Sequence, residues 1–522
     1  MKKTAIIILA TAVIFSLCSC GRTTENEEKH NFINIRSSSK SGGTVEAYMQ
    51  KPDTLNPLLT NIEVNRNAFM LLYDSLFYID SNFKVRPGLA SSYEYSDNAD
   101  TLTVHLQSGV TWHDGSAFTA SDVVYTVNAV LSYAEIYCHN TVDALIENVR
   151  APDNSTVVFY LKQPNSGAAA MLTFPILKYE RGNMVNNSAE YSPIGTGAFK
   201  FKSYNEESAM VLEKNSDSKI IKANIDEVNL NVLPDENTAY SAFSSGITDF
   251  VKINQESAGK ISLSDSIQYA TVYSQNYTFM GINMQNDLLQ RGDIRRLIAA
   301  AINRANPTES IFGAYTSACD IPINPNSQYY TENENLLTYD DAVKAAKCEY
   351  TDSGYAYVNI DGESIFLDFD ILVNEENNSR ISAAESVKTA LGNAGIAANV
   401  IAVDFDSYME RLTNGDFDLY IGSTVLSCDM NLRPLIGSGG SLNFGGYSSE
   451  KTDSLLNRLI DASGSREDAI SKLQADFREN YPHIPLYFKN ELIAYNSKKL
   501  GNVNPVFSEN YFAFLSDCTV NR

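Results

Sequence analysis

Tryptophan and histidine are scarce in this chain of 522 residues. There is one Trp and there are five His. The histidines (30, 105, 113, 139 and 483) are scattered, which disfavours a His-rich metal centre. Seven Cys occur at wide spacing with no C-x-x-C pair, so neither a disulfide framework nor a structural zinc site is indicated. Basic residues are also short: Lys plus Arg number 40 against 63 Asp plus Glu, a net charge of −23. Binding to a nucleic-acid backbone needs clustered cations, so nucleic acid is not an expected partner. After residue 20 no apolar run reaches the ~20 residues of a spanning helix. Catalytic signatures are missing too. Gly195-Thr196-Gly197 lacks the Lys-Ser/Thr ending of a phosphate loop. Gly437 to Ser441 runs in the wrong order for G-x-S-x-G. There is no H-E-x-x-H. No cofactor or metal and no enzymatic activity are expected.

What is present has the balance of a globular protein: 44% hydrophobic and 20% charged residues. At roughly 150 residues per domain the length suggests three or four units. Strand and helix patterns alternate, which indicates α/β layering. Strands are expected at 44–49, 102–106, 156–161, 198–204, 228–232, 366–372, 397–403, 417–421, 485–488 and 492–495. Helices are expected at 64–76, from Thr119, from Asp293 with Ile294, Leu297, Ile298 and Ala301 on one face, at 382–394, from Ser449, and at 467–481.

The N-terminus carries Lys2-Lys3, an apolar stretch from Ala5 to Cys18, and then Leu17-Cys18-Ser19-Cys20-Gly21. This resembles the bacterial lipobox, in which the Cys is acylated and becomes the first mature residue. The expectation is a signal peptide over 1–19, lipidation of Cys20, and a flexible tether over 20–43, rich in Ser, Glu and Asn. Two lipid chains or more make such an anchor stable. Of the later thiols, Cys138, Cys319, Cys348, Cys428 and Cys518, an odd number leaves at least one unpaired.

Most chemistry-bearing pairs have a simpler account. His113-Asp114 precedes Gly115 in a turn, and Thr119 with Asp122 makes a helix cap. Asp287/Asp293 and Asp368/Asp370 fit a helix cap and an alternating strand face better than a glycosidase dyad.

Six stretches in order carry a family likeness. They are Asp53-Thr-Leu-Asn56-Pro57; Leu102 to Leu131 with Val110-Thr-Trp112-His113-Asp114-Gly115; Pro193 to Gly197 with Ala198-Phe-Lys-Phe; Asn283 with Asp293 to Arg304; Ala394-Gly395-Ile396 with Gly415-Asp416-Phe417-Asp418; and Gly446-Tyr447-Ser448 with Ile484-Pro485-Leu486. Together they resemble the peptide/nickel-type extracytoplasmic solute-binding proteins, family 5, over about 44–515.

The resemblance implies a two-lobed α/β fold of the periplasmic-binding-protein type, class II, with an extra subdomain in lobe I. Lobe I would cover 44–270, including the insert at about 58–192. Lobe II would cover 271–488, and 489–522 would return to lobe I. It also implies a substrate-binding lipoprotein of an ABC importer, extracytoplasmic and monomeric, that captures oligopeptides and delivers them to permease and ATPase subunits. The same fold with a glycan or nickel chelate, or a surface peptide-pheromone receptor, are the alternatives.

For the site, the resemblance points first to Asp429, in the loop after the 417–421 strand, as partner of a peptide α-amine. Thr424-Val425-Leu426 stands where the family carries a Trp. Arg380 is the residue available for a carboxylate clamp. Tyr273, Asn276 and Tyr277 at the hinge, Asn443 and Gly445 in a glycine-rich loop, and Asn61 are the other expected contacts.

Overall fold

The computed structural model describes residues 42–179, 192–262, 264–305, 313–332, 337–460 and 465–521. The expected signal peptide, Cys20 and nearly all of the tether lie outside them. Among the described residues no helix is long and apolar enough to cross a membrane.

Two buried apolar clusters organise the chain. The first gathers residues from Val45 to Val272 and again from Leu492 to Cys518. The second gathers Tyr277 to Phe488. We call the parts built on them lobe I and lobe II.

Lobe I has two four-stranded sheets. In one, Thr44–Gln50 lies parallel to Glu227–Leu233, followed by Ala209–Lys214 and Phe199–Tyr204. The other, Ala90–Tyr95, Thr101–Leu106, Thr156–Leu161 and Ile146–Asp153, is antiparallel. The helix Ala120–Ser132 packs on it. Its start is set by the Asp122 carboxylate, which accepts the Thr119 N–H at 2.8 Å. His113 performs the structural task its turn suggested. Its Nδ1 accepts the Gly195 N–H at 3.1 Å, and its Nε2 lies 3.3 Å from the Gly197 carbonyl. The Gly195–Gly197 turn is thus pinned from one side, while Thr196 donates to buried Asp74 at 2.8 Å on the other.

Lobe II layers helices on a mixed sheet. Leu419–Val425, Asp368–Asn374 and Ala397–Val403 run parallel in neighbouring positions, with the helices Gly292–Ala305 and Asn378–Asn393 packed alongside. The C-terminal ends of these strands point toward the lobe junction. In open α/β sheets that end is where ligands bind.

Two expectations change. The helix over 64–76 stops early, as Glu63–Phe69. The carbonyls of Leu71 and Leu72 instead accept the N–H groups of Phe199 and Gly197 at 3.0 and 2.9 Å. A tertiary ladder here overrides helical periodicity. The two short strands expected at 485–488 and 492–495 are one strand, His483–Asn496. The polar Lys489-Asn490-Glu491 between them does not end the strand but marks where it passes from lobe II to lobe I.

His483 sits at the centre of lobe II, 3% exposed, with its Nε2 2.8 Å from the Tyr277 hydroxyl. Burial pushes its pKa down to about 3. The folded value lies below the unfolded value near 6.5, so the unfolded chain binds more protons and stability rises with pH across that window. The melting midpoint should therefore fall as pH is lowered from about 6.5 to about 4, and His483→Gln should make that dependence shallower. A variant with the wild-type slope would contradict this role.

Candidate functional site

The junction between the lobes is built from two long antiparallel strands, Ile267–Ile282 and His483–Asn496. Each begins in one apolar cluster and ends in the other. Their ladder is regular up to the pair Tyr273–Asn490 and resumes at Tyr277–Phe488. Ser274, Gln275 and Asn276 therefore face Lys489 alone, a bulge at the crossing point. Bulges of this kind bend a strand and leave a residue unpaired. Side-chain bonds hold this one: Ser274 donates to the Lys489 carbonyl at 2.7 Å, and Asn324 donates to the Ser274 carbonyl at 3.1 Å.

Away from the crossing, the lobes meet at a polar clasp. The tripeptide Asn165-Ser166-Gly167 of lobe I enters a notch of lobe II. Asn165 Nδ2 donates to the Asp429 carboxylate at 2.7 Å. Ser166 donates to two carbonyls, through its N–H to Ile460 at 3.1 Å and through its hydroxyl to Leu459 at 2.7 Å. Arg466 Nη1 donates to Ser166 Oγ at 2.6 Å, and its Nη2 to the Asp429 carbonyl. Gly167 packs so closely that a Cβ there would lie 2.6 Å from the Asp429 carbonyl oxygen. A second, smaller bridge joins Asn82 of lobe I to Gln328, whose N–H donates to the Asn82 carbonyl at 3.0 Å.

Beside the clasp is a cavity of about 510 Å³ shared by both lobes. Lobe I contributes Thr141, Gln163, Asn165 and Met171, and lobe II contributes Asp429 to Arg433 with Leu456, Leu459 and Ile460. Apolar walls with a few amide groups are the usual make-up of a ligand site. A second cavity of about 180 Å³ lies at the strand crossing.

The expected residues divide between these places. Asp429 lines the larger cavity, 7% exposed, but its carboxylate is engaged by Asn165 and by the Asn431 N–H at 2.9 Å. Asn276 lines the smaller cavity. Arg380 stands next to it, on the first turn of the Asn378–Asn393 helix, with Nε donating to Ser423 at 3.2 Å. Tyr273 packs against Ile79, Phe83 and Phe507, where the lobes join.

The others are placed differently. Tyr277 is fully buried in the lobe II core, stacked on Phe279 at 5.5 Å, because strand alternation turns it away from Asn276. Asn443 closes its own loop: its Nδ2 donates to the Gly437 and Tyr447 carbonyls at 3.0 and 2.7 Å, and its Oδ1 accepts the Tyr447 N–H at 3.0 Å. Gly445 does permit a close backbone approach, but to the Ile282 carbonyl of its own lobe, which a Cβ would overlap. Asn61 is exposed, donates its N–H to Asp53 at 2.9 Å, and lines neither cavity.

Sequence reasoning missed Asn165, Met171 and Arg466, which carry no local pattern. Lys489 and Glu491 had a signal: charged residues in an otherwise apolar strand.

Comparison with known proteins fits this geometry. Residues 84–438 match the family described as "Bacterial extracellular solute-binding proteins, family 5 Middle". The chain belongs to that family. Among curated relatives, oligopeptide-binding protein AppA of Bacillus subtilis is 23% identical over 517 residues, spanning 94% of this chain and 95% of that protein. The structure of the ABC transporter substrate-binding protein CtaP from Listeria monocytogenes superposes with a TM-score of 0.70 at 21% identity, covering 92% of this chain and 100% of that one. A nickel ABC transporter structure from Bacillus halodurans gives 0.75 at 18% identity, covering 90% and 98%. These likenesses establish the two-lobed α/β fold. Family 5 members are extracytoplasmic solute-binding proteins, so the work of this chain is capture of a solute.

Because Gly167 is the tightest point of the clasp, Gly167→Val should force the lobes apart there. The radius of gyration from X-ray scattering of the unliganded protein should rise while the far-UV circular dichroism stays unchanged. An unaltered radius would show that the clasp does not hold the lobes.

Proposed function

We propose that this chain captures oligopeptides between its two lobes and hands them to an ABC-type permease, held at the membrane surface by a lipid on Cys20. The observation that carries the reading is the cavity of about 510 Å³ with walls from both lobes. A ligand that touches both walls binds best when the lobes are together, and so shifts the population toward that arrangement. The permease then has a shape to recognise.

A peptide suits the lining. Met171, Met430, Leu432, Leu456, Leu459 and Ile460 offer apolar contacts, and Gln163, Asn165 and Asn431 offer amides to a peptide backbone. The name of the Bacillus subtilis relative points the same way. A glycan is less well served, because the single Trp, Trp112, is 2% exposed and sits in the lobe I core, where it cannot stack on a sugar. In this reading the protein transforms nothing. The lipid anchor raises its concentration near the permease, which helps delivery without any added contact.

Asp429 then acts through the clasp. Its carboxylate joins the lobes by accepting from Asn165, and the amine of a peptide entering the cavity would find the same acid. Asp429→Ala should weaken peptide binding more than tenfold, about 1.4 kcal/mol or more. An unchanged dissociation constant would remove Asp429 from the site.

The ligand class is tested by thermal shift of the purified chain against pools of peptides two to eight residues long, with sugar and nickel-chelate pools alongside. Ligand at 100 times its dissociation constant stabilises by about 2.7 kcal/mol. A rise in melting midpoint with the peptide pools alone is expected. A rise only with another pool would contradict the peptide reading and leave the fold assignment in place.

A further inference from the structure

Among the described residues, one long strand at the outer edge of lobe II is left open. Ala397–Val403 ends the eight-stranded sheet and pairs on one side only, with Asp368–Asn374, over seven residues without a register shift. It has no charged residue, no Pro and no Gly, and Asn399 is its only polar side chain. Such an edge presents a row of unpaired N–H and C=O groups to any other strand, and proteins normally blunt it. The other described edge strands of six residues or more are blunted. Phe199–Tyr204 carries Lys200 and Lys202, with a break in register between Phe201 and Ser203. Ala90–Tyr95 carries Glu94 and one break, and Ile146–Asp153 has two breaks together with Glu147, Arg150 and Asp153. Thr44–Gln50 carries Glu46, whose carbonyl accepts the Asp249 N–H at 2.7 Å.

The backbone fixes which groups of Ala397–Val403 are free. The Ala397 N–H donates to the Leu367 carbonyl at 2.9 Å, and the Val403 carbonyl accepts the Glu375 N–H at 2.8 Å. Odd-numbered residues therefore face the neighbouring strand, and by alternation Ala398, Val400 and Ala402 turn their N–H and C=O groups outward. Three outward residues centred on Val400 are their own complement under a two-fold axis. Val400 meets Val400 of a second copy, and Ala398 meets Ala402 on either side, each a pair that exchanges two hydrogen bonds. The flanks match in the same way. Phe405, 52% exposed, lies two residues past the strand. Tyr350, 41% exposed, lies beside Gly395, two residues before the strand, where a Cβ would come 3.2 Å from its ring. The same axis sets position 405 of one copy opposite position 395 of the other, so an exposed aromatic from each copy arrives at both ends of the pair.

We propose that this edge is a homodimer interface, in which two copies of the chain join antiparallel through Ala397–Val403 and continue the lobe II sheet across the axis. This replaces the monomer that the family resemblance implied. The occupant is a second copy because the free backbone groups and the flanking aromatics match themselves about Val400, a symmetry that a foreign strand does not require. The net charge of −23 opposes the pairing. The strand itself is uncharged, however, and repulsion beyond about 8 Å is screened at physiological salt. Association should thus strengthen as salt rises, the reverse of what a cationic partner would show. No residue of the strand lines either cavity, so the interface goes beyond solute capture and does not rest on it.

The test is sedimentation velocity of the full chain from about 1 to about 100 μM. The mean mass should climb toward that of two chains, and climb further when salt is raised from about 50 to about 500 mM. Val400→Pro removes the central outward N–H and spares the bonds to the neighbouring strand, the setting in which an edge strand tolerates Pro. Ala402→Lys puts a charge on the exposed edge. Each should weaken association at least tenfold, with far-UV circular dichroism unchanged. Val400→Cys should oxidise to a dimer linked between the two copies of position 400, because facing Cα atoms in such a pair lie about 5.5 Å apart. Asn399→Cys, which the axis sets opposite Ile401, should not. A chain that stays monomeric up to about 100 μM at both salt concentrations would overturn the proposal. So would association that Val400→Pro and Ala402→Lys both leave unchanged, which would place the contact elsewhere. Peptides titrated into the same variants should bind as they do to the wild type, so loss of the dimer and loss of solute capture are read separately.

Discussion

Everything in this molecule hangs on one pair of antiparallel strands. Ile267–Ile282 and His483–Asn496 are the shared spine of both apolar clusters, and they are hydrogen-bonded to each other on both sides of a bulge. A two-strand spine resists sliding, because a shift of one residue would turn every side chain to the wrong face. It resists bending much less, above all where the ladder is broken. The break falls at Ser274 to Asn276, between the last lobe I pair and the first lobe II pair. The strands thus fix which surfaces of the two lobes face each other and leave the angle between them soft.

That division explains the character of the interlobe contacts. Within each lobe the packing is largely apolar. Between the lobes at the clasp it is polar and made largely of hydrogen bonds to backbone carbonyls, with one carboxylate, Asp429, as the central acceptor. Hydrogen bonds of this kind contribute about 0.5–1.5 kcal/mol each, because water replaces them when they open. A set of them can close a cleft without locking it. An apolar seal of the same size would not reopen readily to release a ligand.

The fold was legible because its signals are local and repeated. The Leu102–Leu131 stretch shows strand alternation, a turn and a capped helix in succession, and the structure forms them in that order. The two-lobed α/β fold was legible through the family likeness. The site was legible only in part. Asp429 and Asn276 line cavities, but Tyr277, Asn443 and Gly445 are used inside lobe II. Being near a hinge in sequence does not say which way a side chain points, and one residue along a strand reverses it. Asn165 and Arg466 could not be found from their neighbours in sequence at all. Their partners lie far away in the chain, and only the folded lobes bring Asn165-Ser166-Gly167 to Asp429.

In the proposed function, ligand binding draws the two lobes together about the bulged strand pair. It is tested most directly by a distance between the lobes, read by energy transfer between fluorescent amino acids placed at Ile247 in lobe I and Phe405 in lobe II, both exposed. With a bound peptide identified, saturation should change the mean distance and narrow its spread, and removing the peptide should restore both. A distance that is the same with and without saturating peptide would contradict the account.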